Sequence, residues 1–282
     1  MSQTRLGPHA YGKVGIRLAK VERDGGWHTF HDLTIQIRML GDFAVSYTDG
    51  DNSTTIPTDT MRSTAYALAA DAPLAETERY LQALGRRLLS VTPAASTATV
   101  QAVVHAWDRL APGGETHPHS FRRAGPDATA TATVDRSGPV TVSSGLTGLT
   151  LAKTTGSGFA GFLTDELTVL AETDDRILAT AIEADWSWSR PPESYVAVRG
   201  TVQRAIEEVF ATRYSPAVQH TLYAAGQAVL ASVPEIADVT LRMPNRHHIA
   251  VDLTPFGRTA MNEVFSVPDR PFGLIEGTVT RG

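Results

Sequence analysis

Leu33-Thr34-Ile35-Gln36-Ile37-Arg38-Met39 decides the fold. Its apolar and polar residues alternate strictly, the period of a strand with one buried and one polar face. Upstream, Gly25-Gly26 is a turn signal, and residues 10–22 set Val14, Ile16 and Leu18 in alternation with Gly15, Arg17 and Ala19. Residues 10–22 and 27–40 therefore read as a long antiparallel hairpin with one apolar face. The segments that follow can cover that face. Residues 58–70 read as a helix capped by Thr58 or Asp59, and residues 75–90 as a second helix with Leu81, Leu84 and Leu88 on one stripe. Strands follow at 97–109 and 120–135, separated by a loop holding Pro112, Gly113, Gly114 and Pro118.

After Ser137-Gly138-Pro139 the same order recurs. A strand at 140–153 leads to a loop and short helix around 156–172, then a strand at 176–188. A helix over 193–212 carries Tyr195, Val198, Val202, Ile206 and Val209 on one face. Ser215-Pro216 reads as a helix start, with a helix over 216–232. Strands at 236–243 and 247–254 and an extended piece at 271–280 complete the chain. The expectation is an α+β protein of two domains, 1–136 and 137–282, each an antiparallel four-stranded sheet with two helices on one face. Such sheets leave edge strands unpaired, and closure with sheets of other copies would satisfy them. An oligomer is expected on that ground.

Composition narrows the function. The 282 residues are 42% hydrophobic and 20% charged, with a net charge of −5. The pI near 6.0 argues against a nucleic-acid binder that neutralises phosphates and against a membrane-surface protein. Cysteine is absent, which excludes disulfides, thiolate metal sites and a cysteine nucleophile and fits a reducing, cytoplasmic setting. The polar N-terminus has no secretory h-region, and no apolar run approaches the roughly 18 residues of a membrane span.

No glycine-rich nucleotide loop and no Gly-x-Ser-x-Gly elbow is present. Nine histidines include two tempting pairs, His117-Pro118-His119 and His247-His248. Read as strand neighbours, His247 and His248 point to opposite faces and cannot chelate one ion together, so no metal is expected. Thr58-Asp59-Thr60 places a hydroxyl and a carboxylate at a helix N-terminus, where backbone N–H groups are unpaired. A lysine such as Lys13 brought beside Thr58 would make a proton-transfer pair. Each candidate alone has an ordinary reading. Lys13 is a solvated strand lysine, Thr58 a cap, Phe159 a core residue and Arg176 the ion-pair partner of Asp174 or Asp175. Gln219 is a surface residue, Asn245 a turn residue and His247 a hydrogen-bonded strand histidine.

Taken together, several motifs point to one known family. They are Tyr11-Gly12-Lys13, Gly50-Asp51-Asn52, Thr58-Asp59-Thr60, His117-Pro118-His119-Ser120-Phe121 and Phe159-x-Gly161-Phe162. Further along come Glu172-Thr173-x-Asp175-Arg176-Ile177-Leu178-Ala179-Thr180, Val218-Gln219, Met243-Pro244-Asn245-Arg246-His247 and Arg270-Pro271-Phe272-Gly273. They run in order from about residue 10 to 280, and together they resemble the urate oxidase (uricase) family. The resemblance implies tandem tunnelling-fold domains, four chains in a homotetrameric barrel, and active sites at subunit interfaces. It implies Lys13, Thr58 and His247 as catalytic residues, and Asp59, Phe159, Leu170, Arg176, Val218, Gln219 and Asn245 as substrate-binding residues. Lys13, Thr58 and Asp59 would come from one chain and the others from its neighbour. It further implies urate and dioxygen as reactants, with neither cofactor nor metal, and 5-hydroxyisourate and hydrogen peroxide as products. Arg62, Ser63 and Gly158 depart from the family pattern. The alternatives are a purine- or pterin-binding protein of the same fold, which would need the Arg176–Gln219 clamp but not the Lys13, Thr58, His247 relay, and a structural barrel, which would need neither.

Overall fold

The computed structural model describes residues 4–259 and 262–281. The protein is α+β, and its chain forms two compact units, one of residues up to Gly145 with Pro192–Val196, the other of Leu146–Pro191 and residues from Ala197 on. Among the described residues no helix is long and apolar enough to cross a membrane.

In the first unit β1 (Tyr11–Asp24) and β2 (Trp27–Gly41) form the expected hairpin. Leu33, Ile35, Ile37 and Met39 are all buried, as the alternation requires. In β1 the alternation breaks. Lys13 pairs with Ile37 but Ile16 pairs with Ile35, so one extra residue is inserted between them. Gly15 adopts φ 69°, which suits glycine. The bulge turns Val14 outward, 68% exposed, while Ile16 and Leu18 stay inside.

A one-turn helix, α1 (Ala44–Thr48), follows, too short to leave a periodic signal. Ser53 N–H donates to Asp51 Oδ1 at 2.9 Å in the turn after it. Then come α2 (Thr58–Asp71) and α3 (Thr77–Val91). The cap expected from Thr58 or Asp59 is not made. Pro57 holds the N-cap position, and Thr58 is already helical. Met61, Ala65, Tyr80, Leu81, Leu84 and Leu88 pack on the inward residues of the strands in one core.

The strand expected at 97–109 is two pieces, β3 (Ala95–Val104) and β4 (Trp107–Arg109). That expected at 120–135 is likewise split into β5 (Phe121–Arg123) and β6 (Asp127–Asp135). The breaks have a polar cause. His105 N–H donates to the Asp32 carbonyl at 2.8 Å, and Ala106 N–H to Asp127 Oδ1 at 3.0 Å. These bonds divert the chain into a separate β4–β5 ribbon. Sheet order in this unit is β1-β2-β3-β6, followed by the N-terminal half of β7 (Val140–Lys153).

The second unit repeats the plan. The C-terminal half of β7 is followed in the sheet by β8 (Leu178–Trp188), β9 (Ile236–Asn245) and β12 (Gly273–Thr280). Val202, Ile206 and Val209 of α4 (Tyr195–Thr212) and Leu222, Ala225 and Val229 of α5 (Val218–Ser232) lie in the core with Leu178, Ile182 and Trp186. Three expectations are corrected here. No helix forms within 156–172, where Gly156 and Gly161 both take positive φ. Ser215 does not cap α5. Its backbone N–H is bound to the Gly156 carbonyl, and Ala217 is the N-cap. The strand expected at 247–254 shrinks to β10 (Ile249–Ala250), paired with β11 (Phe265–Ser266), because Arg246 N–H donates to the Ala179 carbonyl at 2.9 Å and leads the chain off the end of β9.

The duplication extends to side chains. Arg136 donates to the carbonyls of Leu89, Thr92 and Ala95 at 2.6, 2.9 and 2.8 Å. Arg281 donates to those of Leu230, Val233 and Ile236 at 2.5, 2.8 and 2.8 Å. Each arginine thus satisfies orphan carbonyls at the end of its unit's second long helix and places its charge on the negative end of the dipole. Gly85 of α3 abuts Val134, and Gly226 of α5 abuts Val279, each valine two residues before its arginine. Arg136→Ala and Arg281→Ala are each expected to cost about 2 kcal/mol of stability, read as a lowered urea midpoint. An unchanged midpoint would deny the capping role.

Asp127 supplies a pH-dependent contribution. Burial raises its pKa, but hydrogen bonds from Arg123, Ala106 N–H and His105 outweigh burial and hold it below the ordinary carboxylate value. A depressed folded pKa stabilises above the unfolded pKa of about 3.9 and loses that stabilisation as pH falls through the folded value. The melting-temperature gap between wild type and Asp127→Asn is therefore expected to be constant from neutral pH to about 5 and to narrow below about 4. A gap that widened on acidification would contradict this sign.

Candidate active site

The second unit holds a cavity of about 220 Å³ lined by Phe159, Leu170, Thr173, Arg176, Asn245, His247 and His248, among others. Three backbone strips build it. Phe159 and Thr173 exchange N–H···O bonds of 2.7 and 3.0 Å, Arg176 N–H donates to the Ser157 carbonyl at 2.7 Å, and Gly158 N–H donates to the Ser215 carbonyl at 2.8 Å. Residues 245–248 join from the end of β9, held by the Arg246–Ala179 bond.

Arg176 is the unusual group. It is partly buried, and among the described residues its fully buried Nε has no hydrogen-bond partner and it makes no ion pair with Asp174 or Asp175. Asp175 accepts instead from Thr155 at 2.8 Å. Burial pulls the guanidinium pKa below its ordinary value. Its central carbon lies 5.2 Å from the Phe159 ring centroid, and Phe159 stacks on Phe162 at 4.9 Å with planes 16° apart. An uncompensated guanidinium beside an aromatic face is suited to a flat ligand carrying hydrogen-bond acceptors.

Leu170 sits at the rim and is 61% exposed. Leu163, Leu167 and Val169, earlier in the same loop, are still more open to solvent. His247 and His248 lie between strands, so the opposite-face reading fails, and both line the cavity. Asn245, the last residue of β9, lines it too. Val218 and Gln219 do not. Val218 is buried in the core of its unit and Gln219 is exposed on the first turn of α5, a helix without a side-chain cap. The first turn of such a helix leaves its backbone N–H groups without intrahelical partners.

The first unit carries the remaining candidates. A cavity of about 270 Å³ is lined by Thr58 with Tyr11, Tyr47, Asn52 and Ile56. The Tyr11 hydroxyl accepts from Ile56 N–H at 3.1 Å and so ties β1 to the approach to Thr58; burial raises the Tyr11 pKa. The motif Tyr11-Gly12-Lys13 draws attention to its lysine, and nothing in the sequence shows that Tyr11 reaches Ile56. Lys13 is half-buried at the bulge of β1. Among the described residues it has neither an ion-pair partner nor a hydrogen bond to Thr58. Asp59 is exposed and paired with Arg62 at 2.6 Å, a bond that gives the departure at Arg62 a structural role.

His117 and His119 lie with ring centroids 4.5 Å apart, edge to face. Among the described residues no cluster of three or more His, Cys, Asp or Glu has metal-binding geometry.

Comparison with known proteins places this geometry. The family model described as Uricase matches residues 9–134 and 142–276. The uricase of Arthrobacter globiformis is 39% identical over 277 residues, covering 98% of this chain and 90% of that one. The uricase of Aspergillus flavus is 34% identical over 287 residues, covering 96% and 95%. The crystal structure of the Arthrobacter globiformis uricase superposes with a TM-score of 0.93 at 38% identity over 99% of this chain and 96% of that one. With both halves of the chain matched in order, and with the unpaired arginine, its stacked phenylalanine and the Asn245–His248 turn set around one cavity, the chain belongs to the uricase family.

Proposed function

We propose that the protein oxidises urate with dioxygen and water, releasing 5-hydroxyisourate and hydrogen peroxide, without metal or organic cofactor. The observation that carries this reading is the partly buried Arg176 guanidinium, unpaired among the described residues, beside Phe159 in a cavity shared with Asn245 and His247. Urate is a flat anion with carbonyl and ring-nitrogen acceptors along its edges. Arg176 donates to one edge as a planar fork, and Phe159 stacks on the ring. Gln219 and the first-turn N–H groups of α5 grip a second edge, with Val218 and Leu170 excluding water.

Urate is itself the electron donor. Lys13 takes a proton through the Thr58 hydroxyl, with Asp59 beside it, and the resulting dianion passes two electrons to dioxygen held near Asn245. A C5–O bond forms a peroxide adduct. Its C5–O bond then breaks as hydrogen peroxide leaves, and water adds at C5 with His247 relaying the proton. One urate, one dioxygen and one water give one 5-hydroxyisourate and one hydrogen peroxide, so atoms and electrons balance.

The assembly belongs to the same proposal: a cytoplasmic homotetramer of tandem tunnelling-fold domains, with domains 1–136 and 137–282, whose Lys13–Thr58 half-site completes the Arg176 half-site of a neighbouring copy. Two observations support it. Among the described residues β1 and β12 each have a strand on one side only, and such edges invite pairing. Leu163, Leu167 and Val169 form an exposed apolar loop beside the Arg176 cavity.

Purified, chelator-treated protein is expected to consume urate and release one peroxide per urate. Turnover that required an added metal or flavin would reject the cofactor-free reading.

A further inference from the structure

Gly158, immediately before Phe159, leaves a gap in the strip that carries the aromatic platform. That gap is filled from elsewhere. A Cβ at position 158 would overlap the Tyr214 hydroxyl and lie 2.9 Å from the Thr173 carbonyl oxygen and 3.1 Å from the Asp174 Cα. Tyr214 comes from the connection between α4 and α5, and its hydroxyl donates to the Asp174 carbonyl at 2.9 Å. Its ring is 53% exposed, so it contributes little to the core. The residues it presses together are those that set the site. Gly158 precedes Phe159, and Asp174 sits two residues before Arg176, whose N–H is bound to the Ser157 carbonyl.

We infer that Tyr214 is a positioning residue for substrate binding: its hydroxyl fills the space over Gly158 and clamps the 157–159 strip to the 173–176 turn, fixing Arg176 relative to the Phe159 ring. This rests on the function proposed above and adds a residue that touches neither urate nor the reacting atoms. A conformationally free glycine in a binding strip normally adds disorder to the unbound site, and ordering it on binding lowers affinity. Here the tyrosine removes that freedom beforehand. The effect therefore falls on binding and leaves the chemical step alone.

Tyr214→Phe keeps the ring and deletes the clamp. Its KM for urate and its inhibition constant for xanthine, a flat purine lacking the C8 oxygen, are expected to rise about three- to tenfold, the range of one lost hydrogen bond. Its kcat is expected to stay within about twofold. Amide hydrogen exchange at Phe159 and Arg176 in the ligand-free protein is expected to quicken, while exchange in the core strands stays unchanged. Unchanged KM and xanthine inhibition would overturn the inference, as would a fall in kcat at constant KM. Hydrogen exchange needs no substrate. Wild-type protein inert toward urate would therefore sink the proposed function, and unaltered exchange in Tyr214→Phe would sink the clamp.

Discussion

Lys13→Met is expected to lower kcat for urate by about a hundredfold or more while urate still binds. Methionine keeps the length and apolar stem of the side chain and removes only the amine. Lys13 stands at the one bulge in the β1–β2 hairpin, where the inserted residue and the left-handed Gly15 change the strand's direction. Bulges of this kind re-aim a side chain at the cost of regular pairing, and they concentrate beside active sites. Among the described residues no carboxylate holds the ammonium group. A half-buried, uncommitted amine is what proton abstraction requires, and a fold-stabilising lysine would have been given a partner. Binding should survive because recognition of the ring is assigned to Arg176 and Phe159. Turnover near that of the wild type would remove Lys13 from the mechanism.

Arg176→Ala is expected to weaken urate binding by about 2–5 kcal/mol, the cost of removing one side of a buried charge-assisted pair. The effect should appear in KM and in xanthine inhibition. Arg176→Lys should recover little, because an ammonium cannot reproduce the planar fork or its stacking. The free protein already bears the burial of this guanidinium without a compensating carboxylate. The alanine variant should therefore fold at least as stably as the wild type while losing substrate. An unchanged KM would deny the clamp.

These two residues also show what the sequence can and cannot convey. The hairpin was readable because Leu33, Ile35, Ile37 and Met39 obey the strand period and all four are buried. The helices over 75–90 and 193–212 were readable from apolar stripes, and those stripes lie in the cores; the helix expected over 58–70 also forms, although the cap expected from Thr58 or Asp59 does not. Several of the failures were governed by single polar contacts at long range, beside the helix at 156–172 that the left-handed Gly156 and Gly161 prevent. The breaks at 105–106 depend on Asp32 and Asp127, which are distant in sequence and leave no periodic trace. The ordinary reading of Arg176, an ion pair with Asp174 or Asp175, is not met among the described residues: the 173–176 turn is bound to the 157–159 strip, and Thr155 donates to Asp175. His247 and His248 read as strand neighbours only if the strand continues, and the Arg246–Ala179 bond ends it. The structure sets Phe159, Leu170, Arg176, Asn245 and His247 around one cavity, while Val218 and Gln219 lie off it on the first turn of α5. Tyr214 escaped notice because its role depends on the absence of a side chain at Gly158, a relation that only coordinates reveal.

The account stands or falls on two half-sites from different copies acting on one urate. Co-expressing the Lys13→Met and Arg176→Ala chains tests this directly, since neither chain alone can assemble a complete site. Random mixing of the two in a symmetric assembly joins an intact Lys13 to an intact Arg176 in about a quarter of the interfaces. The mixed protein is expected to regain urate turnover to about that fraction of the wild type. A mixture as inactive as either parent would contradict it.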